Sequence, residues 1–410
     1  MRKRPLILLT SVVFMDMVGF GLILPLLPYY ATTFCANATA IGLLYSAYAL
    51  GQFIGAPIVG RLSDRFGRKP LLLLSIGGTF LSLLLLGFAK SLAVLFVSRF
   101  LDGITGGNIT VAQAYISDVT DEKTRARSFG LIGAAFGVGF IFGPVIGGAL
   151  STWGFAVPAF AASGVAALNM LLIAILLPES LPPQKRTVLR ESPFTAFKLR
   201  LLLDVLKKPR VGPLLNIILF YSLAFTIFQS LFAVFAREKL GFTARQTGFS
   251  LAYVGLLVAI VQGGLIGVLA ARFKESKLIY LASVLFTGSL VVWSVTSHWI
   301  VLLIVLMPLA FSAGVMNTIL RSLLSKAVYP EEVGGTLGLA SSLESMTRVV
   351  GPSIGGLVAA QLGYWAPGIV GAVVMVPAVF IIWIGLVRWP DIPLPKRSGA
   401  GSTRREHPEK

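Results

Sequence analysis

The sequence predicts an all-α integral membrane protein whose twelve transmembrane helices form two repeated six-helix bundles. Three observations support this fold class. The 410 residues are 56% hydrophobic and only 13% charged, and soluble domains carry about twice that share of charge. Apolar runs close to the roughly 20 residues that span a bilayer recur along the whole chain. In addition, motifs of the first half return in the second half at a nearly constant spacing.

Turn and charge clusters divide the apolar runs into twelve candidate spans. The predicted limits are 6–30, 40–60, 70–89, 92–117, 127–150 and 157–177 in the first half, and 212–236, 245–271, 278–296, 299–323, 334–360 and 366–387 in the second. The predicted bundles therefore cover residues 1–177 and 212–387. A proline-rich, basic linker at 178–211 is expected to be cytoplasmic. The polar tail at 388–410 is expected to be cytoplasmic and disordered.

The N-terminus is expected to be a retained first helix. Its basic start followed by an apolar stretch resembles a signal peptide. However, Asp16 interrupts the apolar run, and no small-x-small cleavage site follows.

Basic residues concentrate on one predicted side of the membrane. With both termini in the cytoplasm, most of the 35 Lys and Arg residues fall on the cytoplasmic side, as the positive-inside rule requires. Anionic lipid headgroups then account for the net charge of +18, and no nucleic-acid partner is needed. The lone Cys35 excludes an internal disulfide. Both histidines lie outside the predicted spans, so no metal site is expected.

The two halves share sequence motifs. The segment GLIGAAFGVGFIFGPVIGG starts at Gly130, and GLASSLESMTRVVGPSIGG starts 208 residues later, at Gly338. GRLSDRF at 60–66 has a weaker counterpart, GVLAARF at 267–273, in which Ala271 stands in place of Asp64. Two matches at nearly one spacing indicate a duplicated six-helix unit, an arrangement that transporters with a central site often use.

Five ionisable residues lie at membrane depth: Asp16, Arg99, Asp102, Glu344 and Arg348. An ionisable group there costs about 2.5–3.5 kcal/mol or more on insertion scales, so each needs a reason. Asp16 lies near mid-bilayer with no opposite charge one turn away. It is therefore expected to couple transport to protons or to bind substrate. The alternative is a neutral carboxyl that is hydrogen-bonded to a neighbouring helix.

The other four residues are expected to form two pairs, because residues three or four apart share one face of a helix. Arg99 and Asp102 either neutralise each other or take part in proton transfer. Glu344 and Arg348 have Phe136 and Phe140 as their counterparts in the repeat. A pair added to one half only is expected to line a site, the alternative being a structural pair. Arg321 is placed too close to the end of its span to belong to this set.

Four motifs resemble those of the major facilitator superfamily. These are G-x-L-x-D-R-x-G-R-K at 60–69, R-F-L-D-G at 99–103, the fifth-helix motif, and Asp16-x2-Gly19-x-Gly21-x3-Pro25 in the first helix. The fifth-helix motif comprises Gly130, Gly139, Gly143, Pro144, Gly147 and Gly148. This motif is typical of antiporters of the superfamily, and the first-helix pattern is similar to drug–proton antiporters, the tetracycline efflux pumps in particular.

The resemblance implies a secondary active transporter in the plasma (cell inner) membrane. It would export small, fairly apolar compounds or drugs by alternating access, as a monomer, driven by the proton gradient and without a cofactor. The alternatives are a transporter of a sugar, lipid or other metabolite, and a membrane receptor that transports nothing. An enzyme is not expected, because the sequence has no nucleotide-binding loop, metal cluster or nucleophile motif. Tetracycline pumps carry a third-helix aspartate where this chain has Ser82, so a metal–tetracycline substrate is not expected.

The charged segment at 60–69 is first of all interpreted as a loop between two spans. The resemblance adds a second role, a conformational latch. In the family, the acid at the position of Asp64 meets the start of helix eleven, here residues 334–336, while the cytoplasmic gate is closed. Arg68 is expected to meet Asp118 in that same state. The proposed latch residues are Gly60, Asp64, Arg65, Gly67, Arg68, Lys69 and Asp118.

The glycines of the fifth helix are expected to allow close helix packing. Gly139, Gly143 and Gly147 recur every four residues and form one stripe. The resemblance implies that this stripe packs across the interface between the halves and seals it against leak.

Overall fold

The computed structural model describes residues 3–120, 122–182, 184, 186, 206, 210–329 and 332–388. We number the membrane-length helices α1 to α12 and give letters to the parts of broken helices. The first half contains α1a (Lys3–Ile23), α1b (Leu27–Thr32), α2 (Ala38–Phe66), α3 (Arg68–Gly87), α4a (Leu92–Thr105), α4b (Asn108–Val119), α5 (Glu122–Leu150) and α6 (Ala156–Leu176). The second half contains α7 (Val211–Leu240), α8a (Ala244–Ile260), α8b (Ile266–Arg272), α9 (Glu275–Val295), α10 (Trp299–Lys326), α11 (Val333–Leu362) and α12 (Ala366–Ile382).

Eleven helices in the described part of the chain are long and apolar enough to cross a membrane. The twelfth, α11, has 30 residues, which is also long enough, but it carries Glu344 and Arg348 within its span. Most of the linker and all of the tail after Arg388 lie outside the described residues. The predictions for those two segments therefore stay predictions.

Three predicted spans are interrupted. Helix α1 breaks before Leu27, next to Pro25, which has no N–H to continue the hydrogen-bond ladder. Helix α4 breaks at Gly106 and Gly107, which lie between its two parts. Helix α8 passes through a π-helical turn at Val261–Leu265, a feature found mostly at functional positions. The break in α4 places Asn108 at the start of α4b, deep in the molecule.

The same helix pairs pack together in both halves. In the first half, α1 contacts α5 and α6, α2 contacts α4, and α3 contacts α4 and α6. In the second half, α7 contacts α11 and α12, α8 contacts α10, and α9 contacts α10 and α12. The prediction of two pseudo-repeated six-helix bundles is confirmed. The bundles touch each other mainly through α2 against α11 and α5 against α8.

The bundles meet at one end of the molecule and separate at the other. We call the end that carries residues 61–69 the basic end and the end that carries residues 33–37 the far end. Glycines on α5, α8 and α11 show the difference. Toward the far end, a Cβ added to Gly148, Gly248 or Gly356 would press on the backbone of the other bundle. Toward the basic end, a Cβ on a glycine would meet no atom within 4 Å at positions 130, 133, 137, 263, 264, 267, 334, 335 and 338.

The charged segment at 60–69 is helical, so its interpretation as a loop is wrong. Helix α2 continues to Phe66, and α3 begins at Arg68. Only Gly67 lies between them, with a φ of 104° that favours glycine. A single residue in this conformation reverses the chain, so the polar side chains around it remain on the helices. A Cβ on Gly67 would also lie 2.5 Å from the Glu179 carboxylate.

Candidate functional site: a cavity between the two bundles

A cavity of about 450 Å³ lies between the bundles and is lined by residues of both. Because the bundles touch at the far end and separate at the basic end, the cavity opens toward the basic end. All five predicted membrane-depth residues line it, and so does Arg321. Further polar and aromatic side chains also line it, namely Tyr48, Gln52, Asn108, Tyr221, Gln229 and Asn317. The sequence therefore located the charged cavity residues well, although it gave the correct partner only for Arg99 and Asp102.

Asp16 lies on α1a and is partly exposed to the cavity. Asn108, at the start of α4b, donates a side-chain N–H to Asp16 Oδ1. Among the described residues, no Lys or Arg nitrogen lies within 4.0 Å of this carboxyl group. Asp16 is therefore hydrogen-bonded to a neighbouring helix, as the alternative interpretation of this residue as a neutral carboxyl required. It engages one carboxyl oxygen with a donor, which leaves the other oxygen able to take up and release a proton.

Arg99 and Asp102 form an ion pair on α4a, as their spacing predicted. Arg99 Nη1 lies 3.2 Å from Asp102 Oδ2, and their side chains are only 5% and 10% exposed. Thr79 and Ser82 of α3 lie close to Asp102. Arg99 Nε has no hydrogen-bond partner in the described part of the chain. The pair neutralises itself, but it keeps one buried donor that is free to bind water or ligand.

Glu344 does not pair with Arg348, so the pairing predicted from their spacing is wrong. Instead, Arg321 of α10 donates from Nη2 to both Glu344 oxygens, at 3.1 and 3.2 Å. Helical spacing brings two residues of α11 near each other, but a guanidinium on the neighbouring helix reaches the carboxylate more favourably. Arg321 was set aside because the span was predicted to end at 323, whereas α10 continues to Lys326.

Arg348 is exposed to the cavity. No carboxylate of the described residues lies within 4.0 Å of its guanidinium. It is close enough to Tyr48, on the other bundle, to interact with it electrostatically. The cavity wall formed by α11 therefore carries an arginine that forms no ion pair with any described residue.

Aromatic rings form much of the remaining cavity wall. Phe20 and Tyr48 lie with ring centroids 5.7 Å apart, and Tyr221 and Phe225 lie 5.9 Å apart on the other bundle. Amides lie beside these hydroxyls, since Gln52 donates to Tyr48 and Asn317 donates to Tyr221, each at 3.4 Å. Such a wall suits compounds with an aromatic body and a few polar groups.

The far end is closed by contacts that sequence reasoning missed. Tyr29 of α1b donates a hydrogen bond of 2.9 Å to the Phe242 carbonyl, and its hydroxyl shares one of 2.6 Å with Thr247. Ser46 and Ser353 share a hydrogen bond of 2.7 Å between α2 and α11. All these bonds join one bundle to the other. No spacing within a single helix could have indicated them.

The glycine stripe of α5 packs within its own bundle, so the predicted contact across the interface is wrong for these residues. A Cβ on Gly139 would lie 2.6 Å from Met17 Cβ, and one on Gly143 would lie 2.6 Å from Gly21 Cα, both on α1a. Gly147 likewise presses on Leu22 of α1a, while Gly130 meets no neighbour.

Other residues of the same motif make the contact between the bundles. The Pro144 carbonyl faces Gly248 of α8a, and a Cβ on Gly148 would lie 3.0 Å from Arg245 Cα. The close approach of α5 and α8 thus depends on Pro144 and Gly148 rather than on the stripe.

The predicted latch residues form a network inside the first bundle. Arg68 is 7% exposed; its Nη1 lies 2.7 Å from Asp64 Oδ1 and its Nε lies 3.0 Å from Asp118 Oδ2. Arg65 lies over the Phe66 ring, and Lys69 Nζ donates to the Ala174 carbonyl. Gly60 approaches the side chain of Thr110, which a Cβ would meet at 3.3 Å.

The state dependence predicted for Arg68 and Asp118 is wrong, because their pair is present while the cavity is open to the basic end. The predicted contact of Asp64 with residues 334–336 belongs to the other state and stays a prediction.

Glu179 extends this network into the start of the linker. Its carboxylate accepts hydrogen bonds from the backbone N–H groups of Arg68 and Lys69, at 2.8 and 3.2 Å. It therefore caps the start of α3, where the helix dipole favours an anion. Sequence reasoning missed this contact, because Glu179 is 110 or more residues from its partners.

These features define a polytopic membrane transporter with a central cavity between two repeated bundles. The chain belongs to the Major Facilitator Superfamily, whose profile matches residues 9–287 and 263–408. It is therefore a transporter rather than an enzyme.

Curated relatives and solved structures agree with this assignment. The class C tetracycline resistance protein of Escherichia coli is 34% identical over 358 residues, which cover 86% of this chain and 89% of the relative. Multidrug resistance protein 2 of Bacillus subtilis (strain 168) is 28% identical and covers 87% and 89% of the two chains. A bacterial homologue of the human lysosomal transporter Spinster, in an inward-facing and occupied conformation, superposes with a TM-score of 0.77 at 16% identity. That match covers 93% of this chain and 96% of the other.

Proposed function

We propose that this protein exports small, fairly apolar compounds or drugs from the cell in exchange for protons. The observation that carries the proposal is Asp16, a carboxyl without an ionic partner among the described residues, in a cavity open to one side of the membrane. Tetracycline resistance proteins and a multidrug resistance protein among the relatives support efflux.

The basic end would face the cytoplasm, with both termini on that side of the plasma (cell inner) membrane. The positive-inside rule supports this orientation. In that orientation the cavity is open to the cytoplasm, from which an exporter must collect its substrate. The protein would work as a monomer in a bilayer with anionic headgroups, with the proton gradient as its driving force and without a cofactor.

The transport cycle would depend on competition at Asp16. In the inward-open state, Asp16 releases its proton to the cytoplasm and substrate enters the cavity. The bundles then separate at the far end, by breaking the Tyr29 and Ser46 hydrogen bonds, and close at the basic end. Substrate leaves, a proton from outside binds Asp16, and the protein returns. Proton and substrate are exchanged because they compete for the same carboxyl group.

Metal-chelated tetracycline is not part of the proposal, although several relatives are named for tetracycline. Ser82 occupies the position of the third-helix acid; it is 1% exposed and donates to the Thr79 carbonyl. It therefore packs between helices and offers no carboxylate to a metal–drug complex. A sugar, lipid or other metabolite remains the alternative class of substrate.

Uptake into inverted membrane vesicles tests the proposal. Everted vesicles that contain the protein should accumulate some members of a panel of dyes and drugs when their lumen is acidic. A protonophore should abolish this accumulation, and vesicles without the protein should show none. Accumulation that ignores the proton gradient would contradict proton exchange. Uptake of sugars or lipids alone would favour the alternative class of substrate.

A further inference from the structure

The cavity holds two unpaired charges of opposite sign, one on each bundle. Six charged side chains line it: Asp16, Arg99, Asp102, Arg321, Glu344 and Arg348. Four of them form the two ion pairs described above. In the described part of the chain, this leaves Asp16 on α1a and Arg348 on α11 without an ionic partner. The wall itself therefore supplies one acid and one base that can bind a ligand.

The unpaired state of Arg348 is tolerable only while water reaches it. In the open state, the guanidinium is exposed to the cavity. When the basic end closes during the cycle, this charge leaves bulk water, and an unpaired charge in a protein interior is strongly unfavourable. A bound anion would compensate for it. Arginine binds carboxylates through two parallel hydrogen bonds, which adds orientation to affinity.

On the first bundle, aromatic residues take the positions that correspond in the repeat to Glu344 and Arg348. Phe136 and Phe140 of α5, the counterparts of Glu344 and Arg348 in the repeat, line the same cavity. Phe20 and Tyr48 add further ring surface. Tyr48 is close enough to both Asp16 and Arg348 to interact with them electrostatically, so the cavity offers ring surface within reach of an acid and a base.

We propose that the substrates are amphoteric aromatic compounds, in which Asp16 binds the ammonium group and Arg348 binds the acidic group. The inference rests on the proposed function and narrows its class of substrate. An ammonium group at Asp16 excludes a proton from the same carboxyl, which gives the exchange. The acidic group at Arg348 fixes the orientation of the ligand and removes the unpaired charge before the cavity closes.

A matched ligand series tests this assignment. The probes are para-piperazinyl benzoic acid, its ethyl ester, which keeps only the ammonium, and its N-acetyl derivative, which keeps only the acid. Equilibrium dialysis with the purified full-length protein measures the affinity for each. The protein should bind the parent acid roughly tenfold more tightly than either derivative, because each derivative loses one charge-assisted interaction.

Variants identify the residue behind each preference. Arg348→Gln should lower affinity for the parent acid roughly tenfold and leave the ester unchanged. Arg348→Lys should retain only part of the preference, because lysine keeps the charge but cannot form the two parallel hydrogen bonds. Asp16→Asn should lower affinity for the acid and the ester alike and leave the N-acetyl compound unchanged. Lys90→Gln, a charge removal on an exposed residue outside the cavity, is the matched control and should change none of the three.

Equal binding of the parent acid and its ester by the unaltered protein would overturn the assignment, as would an unchanged affinity of Arg348→Gln for the acid. Failure of all three probes to bind would overturn it as well. These outcomes are separable from the proposed function. Proton-driven uptake of other panel compounds would leave efflux standing, whereas absence of any proton-driven uptake would remove efflux whatever the binding data show.

Discussion

At the far end of the molecule the two bundles touch through their backbones, whereas at the basic end they are separated and the charged groups of the first bundle pair with one another. Gly42 and Gly356 allow α2 and α11 to meet closely, and the Tyr29 hydroxyl bridges to the second bundle. At the other end, Asp64, Arg68 and Asp118 contact each other on the same bundle. The closed end thus depends on shape and a few hydrogen bonds, so changes there should alter the balance between the two access states most.

The largest effect is expected from Gly42→Val, which breaks the closed end. A Cβ on Gly42 would collide with the Pro352 carbonyl and lie 3.1 Å from Gly356 Cα. Overpacking of this kind costs about 1–3 kcal/mol, and only the state that is closed at the far end would suffer. The reporter is Asn317→Cys, placed in the cavity of a Cys35→Ser protein and labelled by an impermeant maleimide from the far side.

Labelling from the far side should rise about 5- to 150-fold in this variant. Gly164→Val is the matched control, because a Cβ there would meet no atom within 4 Å. Unchanged labelling of the Gly42 variant would show that the close approach of α2 and α11 does not hold the far end closed.

A smaller effect is expected from Tyr29→Phe, which removes the hydrogen bonds to Phe242 and Thr247 but keeps the ring. Such bonds contribute about 0.5–1.5 kcal/mol net, so the same reporter should be labelled roughly two- to tenfold faster from the far side. Tyr253→Phe is the matched control in the second bundle, since that hydroxyl makes no hydrogen bond to any residue that the structure describes. Equal effects of the two variants would remove Tyr29 from the closure of the far end.

The smallest effect is expected at the basic end, from Asp64→Asn. If Asp64 stabilises the start of α11 once the basic end closes, its loss should cost about 0.3–1 kcal/mol. Accessibility of the reporter from the basic end should then rise roughly two- to fivefold, and turnover should slow. Asp64→Glu keeps the charge and should behave like the parent protein. Normal turnover and accessibility in Asp64→Asn would limit the segment to its contacts within the first bundle.

The sequence predicted the fold and the cavity residues, because both follow from features within single helices. Apolar length gave the spans, and repeated motifs gave the two bundles. The expense of burying a charge in a bilayer singled out Asp16, Arg99 and Asp102. The predictions that were wrong concern contacts between helices. Glu344 binds Arg321 of a neighbouring helix rather than Arg348 of its own, and no spacing along one helix can show which partner is nearer.

Boundary residues were the second source of error, for a related reason. The segment at 60–69 is polar, and polarity predicts a loop at a membrane surface. The helices nevertheless extend beyond the apolar region, because Arg68 is held by Asp64 and Asp118 and its backbone N–H is capped by Glu179. The Asp118 contact was expected from the family resemblance, whereas the contacts with Asp64 of α2 and with Glu179 at the start of the linker become visible only once the helices are packed.

The central claim is that Asp16 carries the proton that drives export, and transport by Asp16→Asn in proteoliposomes tests it most directly. Two rates are compared for one panel compound, uphill uptake driven by a proton gradient and exchange at equal pH with the compound on both sides. The account predicts that Asp16→Asn loses uphill uptake but still exchanges the compound at raised concentration, because the cavity persists and the amide cannot cycle a proton. Uphill uptake at the rate of the parent protein would contradict the account and place the coupling proton elsewhere.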